Sequence, residues 1–329
     1  MTMFSTQTRR LALAGLLAMA LPGAGLAQTY PTKPVTIIVS FAAGGPSDVI
    51  ARLLGEQMSK TLGQSVLVEN VAGAGGTAGA KRLAAAAPDG HTLLIHHLAL
   101  AAAPALYGNL GYDTKTDFLP IGLVNTGPMV VASKLALPAT DAKGFFAYAK
   151  ANADKLTVAH AGVGSNSHLC AVLMSQQLGA KFAQVAYRGT GPAMNDLVGG
   201  QIDILCDQST SAVPQIQGEK IRAYAVTSTE RLDILPTIPT AKEAGTDLEM
   251  TIWHGLYAPK GTPAPVLDKV NAALREALKQ PAVVEKFKGF GTSVFPEAEW
   301  TREAHARRFL AEVDKWAVSL KAAGVTPQN

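Results

Sequence analysis

The chain is poor in cysteine, in charge and in aromatic side chains, and each shortage removes a class of protein. Only Cys170 and Cys206 occur in 329 residues, too few for a disulfide-rich scaffold or a four-cysteine zinc site. In an oxidising compartment the pair can form one disulfide; two buried thiols are the alternative. Charged residues make up 16 % of the chain and no Lys/Arg-rich block occurs, so a nucleic-acid partner is not expected. Beyond the N-terminus no apolar run approaches the roughly 20 residues that span a bilayer. At 48 % hydrophobic residues, the chain is nevertheless rich enough in core formers to fold as a globular protein.

Catalytic signatures are missing too. No Gly-x-Ser-x-Gly elbow is present, and Gly164-Ser165-Asn166-Ser167-His168 comes closest without matching. Gly73-x-Gly75-x-x-Ala78 follows a predicted strand, but the acid a dinucleotide site needs is absent from the stretch Leu93–Leu98. His96 and His97 are adjacent on a predicted strand end and therefore point to opposite faces; no histidine or cysteine set has metal-ligand spacing. No carboxylate pair accompanies the glycine-rich loops. The expectation is a binding protein with no cofactor and no metal, not an enzyme.

What the N-terminus does contain is an export signal. Arg9 and Arg10 precede an apolar run from Leu11 to Leu21, Pro22 and Gly23 break it, and Gly25 and Ala27 supply small residues for cleavage. No acidic residue occurs before Asp48. Residues 1–27 are thus read as a signal peptide leading to the bacterial periplasm. The twin arginines match a twin-arginine signal only loosely, so the export route stays open. Cleavage after Ala27 removes both arginines and takes the net charge from +4 to +2.

The remaining chain alternates strand, loop and helix. Val35–Val39, Val66–Val68 and Thr92–Ile95 read as buried parallel strands separated by helical patterns. After the apolar stretch Ile121–Ala132 the alternation repeats, with strands at Leu156–His160, Ala183–Ala186 and Ile202–Leu205. Ile221–Thr227 reads as the strand that returns the chain. The C-terminal part carries amphipathic helices, one with Leu267, Val270, Leu274 and Leu278 on one face, another with Trp300, Phe309, Val313, Trp316 and Leu320 as core anchors. A chain of this length exceeds the usual single-core size. The predicted fold is α/β: two doubly wound lobes joined by crossing strands and hinged about a cleft, residues 28–124 with 227–329 forming the first lobe and 125–226 the second.

Ligands of parallel sheets sit beyond the strand carboxyl ends, where helix N-termini offer unpaired N–H groups and partial positive charge to an anion. Four such junctions stand out: Ala42–Asp48, in which Pro46 suits a first helical turn and Ser47 or Asp48 could cap it; Ala161–His168; Tyr187–Gly191; and Asp207–Thr210. They are rich in N–H and hydroxyl donors and nearly free of formal charge, which suits a small carboxylate.

In sequence order these pieces resemble the Bug-type substrate-binding proteins of tripartite tricarboxylate transporters. The likeness runs from Tyr30 to the C-terminus through Tyr30-Pro31-x-Lys33-Pro34, Phe41–Asp48 with Ala51-Arg52, Val68-Glu69-Asn70 with Gly73–Gly76, and Pro88-Asp89-Gly90. Further on it rests on Tyr187-Arg188-Gly189-x-x-Pro192, Pro236-x-x-Pro239-Thr240, and Trp253-His254-Gly255 leading to Ala258-Pro259. The resemblance implies a monomeric, hinged receptor that closes on a small organic carboxylate and hands it to integral membrane transporter subunits. A signalling adaptor to a sensor kinase and a secreted enzyme on the same fold are the alternatives. It implies that Gly44, Gly45, Pro46, Ser47 and Asp48, facing Gly162, Gly164, Ser165, Asn166 and Ser167, hold one carboxylate, with His168 a candidate polar residue of the pocket. His96, His97, Tyr187, Arg188, Asp207 and Gln208 would read the rest of the ligand. Ser40 and Ala43 stand where the family commonly has prolines, and His96-His97 falls at a variable place.

Overall fold

The computed structural model describes residues 30–322 and 326–327; the expected signal peptide, residues 1–27, lies outside the described residues. The first β-α-β unit follows the sequence pattern closely. Strand β1 (Val35–Val39) is β-branched and almost wholly buried, and it runs into helix α1 (Pro46–Leu62). Ile50, Leu54 and Met58 recur on the buried face of α1, Pro46 occupies its first turn, and Gly63 ends it at φ 70°, a conformation that favours glycine. Strands β2 (Val66–Asn70) and β3 (Thr92–His97) flank β1 in parallel, with helix α2 (Thr77–Ala84) between them in sequence and the short helix α3 (Ala99–Ala102) after β3.

Strand β4 (Phe118–Ser133) is the long crossing element. Its first part pairs antiparallel with β9 (Thr251–Pro259), and its last residues, Met129–Ser133, pair with β7 (Ile204–Gln208). The second half of the molecule repeats the β-α-β scheme through helix α4 (Ala142–Ala151), β5 (Thr157–His160), α5 (Asn166–Leu178), β6 (Ala183–Ala186), α6 (Thr190–Val198), β7 and α7 (Ser209–Gln217). The continuous path of pairing is β2-β1-β3-β9-β4-β7-β5-β6.

The sequence reading differs from the structure at the return crossing. Strand β8 (Arg222–Val226), expected to carry the chain back, pairs with Val130–Ser133 of β4 and stays with the second half. The return is made by β9, which lies between β3 and β4. Its sequence, Thr-Ile-Trp-His-Gly-Leu-Tyr-Ala-Pro, mixes polar and apolar residues without a period of two, because both faces are covered and burial runs through it from Ile252 to Pro259. Gly255 is required there: a Cβ at this residue would sit 2.2 Å from His305 Nε2. Thr227 knots the two crossings, its amide donating to Met129 O (3.0 Å) and its hydroxyl to Met250 O (2.6 Å).

Helices α8 (Ala264–Lys279), α9 (Pro281–Gly289) and α10 (Arg302–Ala322) complete the chain, with the two-residue strand β10 (Ser293–Val294) against β4. Leu267, Val270, Leu274 and Leu278 of α8, and Trp300, Phe309, Val313, Trp316 and Leu320 in and before α10, are all buried in one core, as their spacing predicted. Cys170 on α5 and Cys206 on β7 form a disulfide, with Cα atoms 6.2 Å apart.

Candidate ligand-binding cleft

Helices α1, α5, α6 and α7 each begin at the carboxyl end of a strand, and their first turns face one small cavity of about 20 Å³. On one side it is walled by Phe41, Gly45, Pro46 and Ser47, with His97 from the end of β3. Ala161, Ser165, Asn166 and Ser167 face them. Thr190, at the start of α6, and Asp207 and Gln208, at the end of β7, close the remainder. The N-caps Gly45, Ser165 and Gln208 all line the cavity, so first-turn N–H groups lacking an acceptor in their own helix converge on it.

The first loop is held from behind. Gly44 takes φ 81°, and its amide donates to Asp48 Oδ2 at 3.0 Å; Arg52 grips the same carboxylate at 2.9 and 3.1 Å, and Asn70 Nδ2 bonds both Asp48 Oδ1 and Phe41 O. Burial opposes the ionised carboxylate, but these donors outweigh it and hold Asp48 below its ordinary pKa. Asp48 is therefore a brace of the loop and not a wall of the cavity. Nor do Ser47 or Asp48 cap the helix: Gly45 is the N-cap and makes no side-chain cap, while Asp48 reaches back to the amide before it.

The second loop uses hydroxyl caps. Ser165 Oγ accepts from the His168 amide and donates to Gly162 O at 2.7 Å, and Ser167 Oγ accepts from the Ala161 amide. Gly162 and Gly164 supply the positive φ values, 97° and 79°, that turn the chain. The His168 ring accepts from the Gly164 amide and packs against His160, away from the cavity wall.

Of the residues singled out from the sequence, Gly45, Pro46, Ser47, His97, Ser165, Asn166, Ser167, Asp207 and Gln208 meet at the cavity. Gly44, Asp48, Gly162, Gly164 and His168 shape its loops from outside. His96 does not turn to the opposite face expected of adjacent strand residues: its ring lies against that of His97, centroids 4.9 Å apart, with both rings packed on Phe41, and its Nε2 is 3.4 Å from Gly76 O outside the cavity wall. Tyr187 donates to Asp196, and Arg188 is exposed, contributing only its carbonyl, which accepts from the Ala42 amide at 3.0 Å. Phe41, Ala161 and Thr190 line the cavity without having been singled out. Position was the available signal for all three, since each adjoins a strand end or a helix start.

No cation lines this wall. His97 lies stacked on Phe41, ring centroids 4.8 Å apart, and its Nδ1 accepts from the Ala99 amide, which leaves the ring proton on Nε2. Burial drives its pKa well below the ordinary histidine value, with His96 and His254 adding to the effect. His254, whose Nε2 is 3.0 Å from Ser47 Oγ, is pushed down to about 3, again by burial first. Asp207 moves the other way, up to about 6, because burial outweighs the donors from Ser211, Gln208 and Thr190. Apart from the Asp207 carboxylate, the cavity presents neutral donors and fixed helix dipoles, an arrangement suited to a small anion held by directed hydrogen bonds.

Residues 50–324 match the family described as the tripartite tricarboxylate transporter family receptor. The chain is 46 % identical over 311 residues to the UPF0065 protein of the TAR-I ttuE-ttuC' intergenic region of Agrobacterium vitis, covering 94 % of this chain and 90 % of that one. Among solved structures it is similar to the periplasmic binding protein BugD, at 45 % identity and a TM-score of 0.89 over 91 % of this chain and all of the other. It is also similar to MatC from Rhodopseudomonas palustris with bound malate, at 40 % identity and a TM-score of 0.85 over 88 % of this chain and 99 % of the other. The architecture is thus the two-lobed α/β fold of the periplasmic binding proteins, and these relatives are solute-binding proteins. With its matched family spanning most of the sequence, the chain belongs to the tripartite tricarboxylate transporter receptor family.

Proposed function

We propose that this protein is a periplasmic receptor that captures a small organic carboxylate between its lobes and delivers it to the integral membrane subunits of a tripartite transporter. The observation that carries the reading is the convergence of four helix N-termini on one cavity without a lysine or arginine in its wall. The cavity is small, about 20 Å³, and a ligand the size of an organic acid enters it only if the two walls move apart. The malate bound by MatC is a carboxylate of this kind. Residues 28–124 with 227–329, and residues 125–226, act as the two moving bodies, with the crossings near Met129, Thr227 and Met250 as the hinge. Capture as a monomer, without cofactor, metal or turnover, completes the proposal.

A thermal-shift screen of mono-, di- and tricarboxylates tests it. A carboxylate present at a thousand times its Kd stabilises the folded state by about 4 kcal/mol and raises the midpoint by several degrees. A flat response to the whole panel would remove the proposal. Chemical recovery of unaltered ligand after incubation distinguishes binding from turnover.

A further inference from the structure

Asp207 stands at the carboxyl end of β7, lines the cavity and is 1 % exposed. Its partners are donors without charge. The Gln208 amide donates to Oδ1 at 2.8 Å, the Ser211 hydroxyl to Oδ2, and the Thr190 side chain adds a third bond. Among the described residues no lysine or arginine lines the cavity. The elements packed on β7 bring no cation to Asp207 either. β4 meets it with Met129, Val130 and Val131, and Lys134 pairs with Asp203 at the other end of β7. α7 carries no charged residue, and α6 carries Asp196, which accepts from Tyr187. His160 ends β5 and packs on His168 of α5; His97 lines the cavity, and His254 sits behind Ser47. Burial above all keeps these four histidines below the ordinary histidine pKa, and so uncharged at neutral pH.

A second anion brought into this space meets a negative charge that no cation balances. Two unit charges about 5 Å apart in a protein interior make the second on the order of a hundredfold harder to form. Carboxyl pairs in that position resolve the conflict by keeping one proton between them. Burial has already raised Asp207 to about 6, whereas a free organic acid ionises near pH 4, so Asp207 takes the proton first. The Ser211 and Thr190 hydroxyls can turn from donors to acceptors, and the protonated carboxyl keeps its partners. We infer that the receptor takes up its carboxylate together with one proton from solvent, and that Asp207 holds this proton in the loaded state. The inference rests on the carboxylate reading above; it concerns the receptor's own carboxyl and leaves the identity of the acid open.

Titration calorimetry on the full chain in HEPES and in Tris, whose heats of ionisation differ widely, counts the protons exchanged. The probes are succinate, malate, adipate and benzoate, none of which bears an amine. The expected result is uptake of more than about half a proton per ligand at pH 7.5, with a Kd that weakens by about tenfold or more from pH 6.5 to 8.5. Asp207→Asn, uncharged at every pH and of the same size, should exchange no proton and bind at pH 8.5 at least about tenfold more tightly than the wild type. Loss of a purely structural group would weaken binding instead. If that variant does not fold, the wild-type proton count decides. Binding of any probe without proton uptake overturns the inference and leaves the carboxylate reading standing, and so does a response to aspartate alone, whose ammonium group would neutralise Asp207. Uptake that persists in Asp207→Asn overturns the assignment to this residue. If no carboxylate binds, both readings fall.

Discussion

The hydroxyl of Tyr107 donates to the carbonyl oxygen of Val163 at 2.6 Å, joining the segment after α3 to the loop that opens α5. On another side of the cavity the Ala42 amide meets Arg188 O. Both contacts are made where glycine lets main chains approach. A Cβ on Gly75 would fall 1.7 Å from Val163 O, and one on Gly189 2.8 Å from the Ala42 amide nitrogen. The rim of the cavity is a main-chain seam, which accounts for glycines that line no ligand surface.

Gly75→Ala should therefore prevent this approach of the two walls. Gly75 also has φ 61°, so the alanine is strained as well as obstructed. The expected result is at least a tenfold loss of ligand affinity, with a larger radius of gyration by X-ray scattering in saturating ligand. Tyr107→Phe removes only the hydrogen bond and should weaken binding about fivefold, mostly through faster dissociation. Unchanged dissociation in both variants would show that the seam does not hold the ligand in.

Asp48 lies outside the cavity yet ties together Gly44, Arg52 and Asn70. Asp48→Ala leaves the Gly44 amide without its acceptor and removes one of the two acceptors of Asn70 Nδ2, and should cost about 1–3 kcal/mol in urea unfolding. Affinity should drop alongside stability, because the first-turn amides of α1 lose their fixed direction. Arg52→Ala, which takes away a largely exposed partner, should have the milder effect on both measurements.

Buried histidines set the acid limit. His96 and His168 are held down at about 4, His254 and His305 at about 3, and His97 well below the ordinary histidine value, each chiefly by burial. The unfolded chain takes up these protons near pH 6.5, whereas the folded chain refuses them until pH 3–4. Stability is thus complete above pH 6.5 and falls as pH drops below it, by about 2 kcal/mol per histidine at pH 5. Asp207 acts oppositely: the unfolded chain releases its proton first, so stability declines as pH rises from about 4 to 6. The histidines together outweigh Asp207, and urea midpoints should be clearly lower at pH 5 than at pH 7.5. His305→Gln should flatten that dependence in part, by about 2 kcal/mol at pH 5.

The Cys170–Cys206 disulfide links α5, whose first turn carries Asn166, to the strand residue next to Asp207. Replacing both cysteines by alanine should lower stability by about 3–4 kcal/mol, the size expected for a loop of this length. Calorimetry on the folded double variant should also show weaker binding, since the two halves of the second wall are no longer stapled together.

Much of this molecule was legible as pattern. β1, α1 and the amphipathic faces of α8 and α10 follow from local periodicity, because each buries one recognisable set of apolar residues. The loops of the cavity were legible for a related reason: strand ends and helix starts carry their own glycine, proline and serine signals. Strand β9 was not, since a strand covered on both faces has no alternation to display. The division of labour within the loops was also hidden. Asp48 and Ser47 are neighbours with the same apparent standing, but Arg52, Gly44 and Asn70 claim the first and His254, over two hundred residues away, meets the second.

Local order alone therefore determined the α/β class, the succession of β-α units and the places where helix N-termini would gather. Only the tertiary structure decided which strand returns the chain, which of two adjacent histidines reaches the cavity, and which carboxylate is buried there without a cation beside it. The reason is range. Helix starts and strand burial depend on a few consecutive residues, whereas a side chain's partner is set by whatever distant segment the packed core brings beside it.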